Sequence, residues 1–276
     1  MASYNFSFEF FPPKTDKAAE ALRAEVKELQ VFKPRFMTVT YGAGGSTRDK
    51  TLETALNISE ETSLPTAAHI TYINTPREEL KGLTQTIWDS GIHHLVALRG
   101  DMPQDLNWPL DPDAGYFQYT SHFVAALKYQ NNFEVSVGAY PEKHPDAADM
   151  SQDIEALRRK CEAGADRAIT QFFFNNDVYL KFLEETSKAG ITTPIVPGIL
   201  PILNYEKMLS FAQTCQTDIP VWLKEKFEST KEEDHPKVAE EILVKQLEEL
   251  AANDVSSFHI YTLNKSHLIT QAIKAL

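Results

Sequence analysis

Hydrophobic and polar positions along this chain alternate with two different periods. Short runs rich in β-branched and aromatic residues, with a period of two, recur from one end to the other. Between them, apolar positions return every three to four residues. The period-two runs predict eight strands, at 6–11 (FSFEFF), 36–41 (FMTVTY), 66–72 (TAAHITY), 94–99 (HLVALR), 134–140 (EVSVGAY), 167–173 (RAITQFF), 194–200 (PIVPGIL) and 257–263 (SFHIYTL). Their starts lie 30, 30, 28, 40, 33, 27 and 63 residues apart, and every interval but the last fits one strand and one helix.

The helical pattern is clear in most intervals. A helix over 16–32 places Ala19, Leu22, Val26 and Leu29 on one face, and one over 49–62 does the same with Leu52, Ala55, Leu56 and Ser59. The helix over 76–89 opens on a proline at its first position, and that over 151–163 carries Ile154, Leu157 and Cys161 in register and stops at Gly164, a C-terminal cap. The long last interval holds helices near 204–214 and 236–252, with a shorter one around 219–228. Strands alternating with helices imply parallel pairing, because parallel neighbours need a crossover. Eight units predict an α/β fold, a single (β/α)8 TIM barrel with extra helices before the last strand. An open doubly wound sheet would announce itself by G-x-G-x-x-G after the first strand, where this chain has FPP. Without a linker or composition shift, residues 1–276 are expected to form one domain.

Composition narrows the function classes. The chain has 42% hydrophobic and 24% charged residues and a net charge of −12, so nucleic acid and anionic membrane surfaces are poor partners. It shows neither a membrane-length apolar run nor a signal-peptide layout, and its two cysteines, Cys161 and Cys215, have no metal spacing; a cytoplasmic protein with reduced thiols is expected.

A barrel gathers its reactive groups at the C-terminal ends of its strands. There the sequence offers Glu9, Thr40, His69, Arg99, Asp101, Tyr140, Glu142, His144, Gln171, Asn264 and Lys265. Parity puts Phe6, Phe8 and Phe10 on one face of the first strand and Ser7, Glu9 and Phe11 on the other, so Glu9 is expected in the barrel mouth. Leu95, Ala97, Arg99 and Asp101 share parity, which would let Arg99 and Asp101 face the same cavity. A carboxylate among aromatics tends towards a raised pKa and general-acid work. Equally, Glu9 could be a structural carboxylate paired with Arg99. The glycine-rich stretch 42–47 matches no phosphate-binding pattern and reads as a loop. His93 and His94 face opposite ways and cannot share a metal, no H-x-H ends the first strand, and His122, His235, His259 and His267 read as solvated or core histidines. No metal site and no nucleophile elbow is expected.

Seven blocks, in order, together resemble the methylenetetrahydrofolate reductase family: SFEFFPPKT (7–15), VTYGA (39–43), ALRGD (97–101), AYPEKHP (139–145), AGADRAITQFFF (163–174), PGILP (197–201) and FHIYTLN (258–264). The resemblance implies a barrel that holds FAD, takes hydride from NADH or NADPH, and then passes it to 5,10-methylenetetrahydrofolate to give 5-methyltetrahydrofolate in a ping-pong exchange. By the same resemblance Glu9 is the general acid, and Asp101 is the negative charge that stabilises the folate cation. Thr40, Tyr41, His69, Arg99, Gly100, Asp101, Tyr119, Thr120, Tyr140, His144, Asp153 and Lys160 match FAD-lining positions. Asp101, Gln171, Lys207, Phe211 and Lys265 match substrate-binding ones, although Phe211 could equally be a helix core residue. Lys207 replaces a common glutamine and Lys265 a common arginine, which alters the grip on the folate tail. Arg99, His144, Lys160 and Lys265 are expected to make the site basic despite the acidic surface. A homotetramer without the C-terminal regulatory domain of animal and yeast members is expected by analogy. The rivals are another FAD-dependent barrel dehydrogenase and a non-catalytic binding barrel.

Overall fold

In β1 (Asn5–Phe10), the alternation sorts the side chains as expected. Phe6, Phe8 and Phe10 are buried against the helices, with Phe6 stacked on Phe258 at 5.7 Å, while Ser7 and Glu9 face the lumen. The computed structural model describes residues 4–42, 48–102 and 115–276, so most of the glycine-rich stretch lies outside the described residues. From β1 the chain continues through α1 (Asp16–Gln30), β2 (Phe36–Val39), α2 (Arg48–Thr62), β3 (Thr66–Thr71), α3 (Arg77–Asp89) and β4 (His94–Leu98). Next come α4 (Thr120–Gln130), β5 (Glu134–Ala139), α5 (Met150–Glu162), β6 (Arg167–Thr170) and α6 (Asn176–Lys188). The last part comprises β7 (Ile195–Val196), β8 (Gly198–Ile199), α7 (Tyr205–Cys215), α8 (Val221–Glu228), α9 (His235–Ala252), β9 (Ser257–Tyr261) and α10 (His267–Ala275).

The nine strands among the described residues pair in parallel, in the order β7-β6-β5-β4-β3-β2-β1-β9-β8, and form a nearly closed barrel with the helices outside. The expected seventh strand is broken in two. Pro197 lacks the N–H that would continue the ladder, so β7 stays with β6 and β8 with β9. Helix starts are capped as their residue types dictate. Thr15 accepts from the Ala18 N–H at 3.2 Å, Asp149 from Gln152 at 2.9 Å and Asn204 from Lys207 at 2.9 Å. Gly164 ends α5 at φ +108°, a conformation that strains a residue with a side chain.

Register carries side-chain parity round the barrel. Ser7 pairs with Phe36 and Glu9 with Thr38, while His69 pairs with Val96 and Ser136 with Arg167. The lumen of β4 is therefore faced by His94, Val96 and Leu98. Leu95 and Ala97 belong to the apolar layer beneath the helices, and of the two residues expected to face one cavity Arg99 lines the outer cavity described below while Asp101 is exposed.

Below Glu9 the lumen is filled and polar. Arg167, 5% exposed, donates to Nε2 of His94 at 3.3 Å, pairs with Glu134, and lies 4.6 Å over the Phe36 ring. A guanidinium can only donate, so His94 accepts at Nε2. Burial first, and then the Arg167 charge, hold its pKa well down and keep the ring neutral.

Candidate active site

Glu9 sits at the C-terminal end of β1 with an imidazole on either side. Its Oε2 is 3.2 Å from Nε2 of His69 on β3 and 3.2 Å from Nε2 of His259 on β9. The His259 contact is a hydrogen bond. His69 is out of line, so its buried Nε2 is left without a hydrogen-bond partner. Burial pushes the Glu9 carboxyl up, but the charge of His69, the hydrogen bond from His259 and the closeness of both rings outweigh it and bring the pKa down to about 2. The expected raised pKa and the expected pairing with Arg99 are both replaced, because charged neighbours overcome burial. His259, expected to be solvated or a plain core residue, is the partner of Glu9.

His259 leads further inward. Its Nδ1 is 2.8 Å from Ser7 Oγ, which also reaches the Phe258 carbonyl at 3.4 Å. When the ring is neutral, the Ser7 hydroxyl donates to Nδ1. When the ring is charged, Nδ1 donates to Ser7 and the hydroxyl turns to Phe258. One hydroxyl rotation thus satisfies both protonation states, so the unit can hold a proton next to Glu9.

Two cavities open above these groups and share Leu98, Gly138 and Tyr140. The inner one, about 280 Å³, is lined by Glu9, Thr40, Tyr41, His69, Gln171, Phe172, Phe211 and Tyr261 among others. Gln171 lines this cavity with its Oε1 accepting from the Phe172 N–H at 3.1 Å, and Phe211 stacks on Phe172 at 5.4 Å. Phe211, 41% exposed, is a cavity wall rather than a helix core residue.

The outer cavity, about 630 Å³, is lined by Arg99, Tyr119, Thr120, Ser121, Tyr140, His144, Asp153 and Lys160, with others. Lys160 donates from Nζ to the Gly138 carbonyl at 2.5 Å, and burial pulls its pKa down against the charge of Asp153. Asp153 accepts from the His144 N–H at 2.9 Å. Burial, and then Arg99, lower the His144 pKa, while burial raises that of Tyr140 to about 12. Arg99 is tied to Asp146 at 2.8 Å.

The remaining expected residues lie apart from these linings. Gly100, at φ +95°, admits no side chain, since a Cβ would come within 2.8 Å of Ile73 and 2.9 Å of Thr71. Asp101 is exposed beyond it, and Lys207 is exposed one turn before Phe211 on α7. Lys265 turns outward to Glu25 at 3.3 Å, because Leu263 and Asn264 take positive φ of 50° and 56° and reverse the chain. Tyr261 and His259 were not expected in the site. The alternation in SFHIYTL is their only sequence signal, and it becomes legible once Ser7 pairs with His259 and Glu9 with Tyr261.

The family model described as methylenetetrahydrofolate reductase matches residues 1–276. The chain belongs to the methylenetetrahydrofolate reductase family. It is 40% identical over 266 residues to the 5,10-methylenetetrahydrofolate reductase of Pectobacterium carotovorum, covering 96% of this chain and 87% of that one. It is 38% identical to the Escherichia coli reductase of the same name, covering 96% and 88%. A longer relative, methylenetetrahydrofolate reductase (NADH) 1 of Arabidopsis thaliana, is 37% identical; the match covers 94% of this chain and 46% of that protein. Among solved structures, an uncharacterized Clostridium thermocellum protein that binds two copies of 5-methyl-5,6,7,8-tetrahydrofolic acid superposes with a TM-score of 0.67. It is 16% identical, with 99% of this chain and 94% of the other covered. A 2,3-dimethylmalate lyase superposes at 0.53 and 10% identity over 100% and 78%. These two carry the fold of this reductase family member, and the curated relatives make it an oxidoreductase.

Proposed function

We propose that this reductase reduces 5,10-methylenetetrahydrofolate to 5-methyltetrahydrofolate with NADH or NADPH, using FAD held across the two cavities. The observation that carries this reading is their adjacency. The two cavities share Leu98, Gly138 and Tyr140 as lining, with basic and hydroxyl groups along the outer one and the Glu9 cluster in the inner. FAD fits that division. Arg99, Lys160, Thr120 and Ser121 suit its phosphate and ribose portions, and the orphaned Nε2 of His69 suits a ring acceptor in the inner part. When bound, FAD supplies a two-electron carrier between nicotinamide and folate.

The chain's own residues do the rest. Glu9, ionised at rest, takes a proton from the adjoining unit of His259 and Ser7 and delivers it to N10, opening the folate ring. Gln171 orients the substrate through its amide, and Phe172 and Phe211 form an apolar wall that excludes water. Asp101, exposed beyond Gly100, contributes its negative charge to the developing cation from outside the cavity linings. A cytoplasmic homotetramer with 1–276 as one catalytic barrel completes the reading. No helix among the described residues is long and apolar enough to cross a membrane.

The test is anaerobic spectroscopy. Purified protein should be yellow, bleach with NADH, and regain colour on addition of methylenetetrahydrofolate. Protein that stays colourless after incubation with FAD refutes the reading.

A further inference from the structure

The barrel closes unusually at β6, β7 and β8. The backbone ladder there consists of two paired residues on each side of Pro197, and β6 ends at Thr170. Side chains take over at that level. The Gly198 N–H donates to Thr170 Oγ1 at 2.8 Å, and the Tyr261 hydroxyl crosses from β9 to donate to the Thr170 carbonyl at 2.6 Å. Thr170 is fully buried. Gly198 makes the crossing possible, since a Cβ there would lie 2.1 Å from the Thr170 carbonyl oxygen and within 2.7 Å of the Tyr261 ring and hydroxyl.

This seam lies between the groups that face the inner cavity. Tyr261 is the register partner of Glu9, and Gln171 follows Thr170 directly, held by its N–H to the Ala139 carbonyl at 2.8 Å. Burial and then the Glu9 charge push the Tyr261 pKa far up, so its hydroxyl remains a donor.

The geometry points to Thr170 and Gly198 as positioning residues, which fix the Tyr261 phenol across the seam and thereby set the spacing between Glu9 and Gln171. Neither lines the cavity, and neither touches what it holds. The inference rests on the inner cavity being where folate and nicotinamide bind. A spacing device acts on the reacting geometry, where a displacement of about 1 Å costs on the order of a hundredfold in rate.

The experiment compares wild type with Thr170→Val, Thr170→Ser and Tyr261→Phe in flavin affinity and in steady-state kinetics with methylenetetrahydrofolate. Valine keeps the shape of threonine but cannot accept from Gly198. Thr170→Val should hold FAD within about twofold of wild type, because neither Thr170 nor Gly198 lines either cavity. Its kcat/KM for folate should fall on the order of tenfold or more. Thr170→Ser, which restores the acceptor, should recover most of that loss. Tyr261→Phe, which leaves Thr170 in place, should reproduce the loss and keeps the test open if Thr170→Val does not fold. Unchanged folate kinetics in either Thr170→Val or Tyr261→Phe overturns the inference, as does a loss that serine fails to rescue. Wild type that takes up no flavin overturns the functional reading instead, a result visible before any variant is compared.

Discussion

Replacing Glu9 by glutamine removes one charge from between two imidazoles and keeps the side chain's size. Two consequences can be sized from the structure. The first is kinetic. If Glu9 donates the proton that opens the folate ring, the variant should lose about a hundredfold to ten-thousandfold in flavin reoxidation by methylenetetrahydrofolate. Reduction by NADH, which needs no such proton, should stay within a few-fold. The second is thermodynamic. The folded carboxyl titrates at about 2 against an ordinary 4.5, so it stabilises the fold above 4.5 and loses that contribution as pH falls through 2. At roughly 1.4 kcal/mol per pH unit, the contribution is about 3 kcal/mol. Urea unfolding of wild type and Glu9→Gln at pH 7 and pH 3 reads it, since the wild-type advantage should shrink on acidification. Stopped-flow spectroscopy of the two half-reactions reads the kinetic part. Equal losses in both half-reactions would remove Glu9 as the acid, and a pH-independent gap in stability would remove the charge cluster as its anchor.

Two further outcomes test other parts of the molecule. Lys160→Met leaves the Gly138 carbonyl unpaired where the cavities meet and should weaken FAD binding about tenfold in a fluorescence titration, without altering the far-ultraviolet spectrum. Glu25 accepts from both the N–H and the hydroxyl of Ser266 at 2.8 and 2.6 Å and so ties α10 to α1. Glu25→Ala should cost about 1–3 kcal/mol in urea unfolding at neutral pH. Its carboxyl is raised by burial but lowered more by Ser266 and Lys265, so the difference should fade as pH drops through the carboxylate range.

How much could be read from the chain differs strand by strand. In β1 one parity is all phenylalanine and the other carries Ser7 and Glu9, so alternation assigns both faces. In β4 both parities are apolar, and alternation cannot choose between Leu95 with Ala97 and Val96 with Leu98. The choice is made by pairing with β3, a long-range fact. Pro197 could have signalled the break in the seventh strand, because a proline inside a paired strand removes a ladder donor. The environment of Glu9 was out of reach for another reason. Its pKa depends on His69 and His259, distant in sequence, and burial alone predicts the wrong direction. Lys265 has a site-like place in the sequence, but two positive-φ residues before it send it to the outside.

The packed layer beneath Glu9 has a consequence for traffic. Ser7, Phe36, His94, Arg167 and His259 occlude the lumen, each at most 5% exposed, so among the described residues the inner cavity is closed from below. Two bulky reactants cannot queue on opposite sides of such a space. In the ping-pong exchange we propose, the second would wait in solution until the first has backed out. Turn-taking between reactants then needs no signal and no moving gate, because a dead-end street already enforces it.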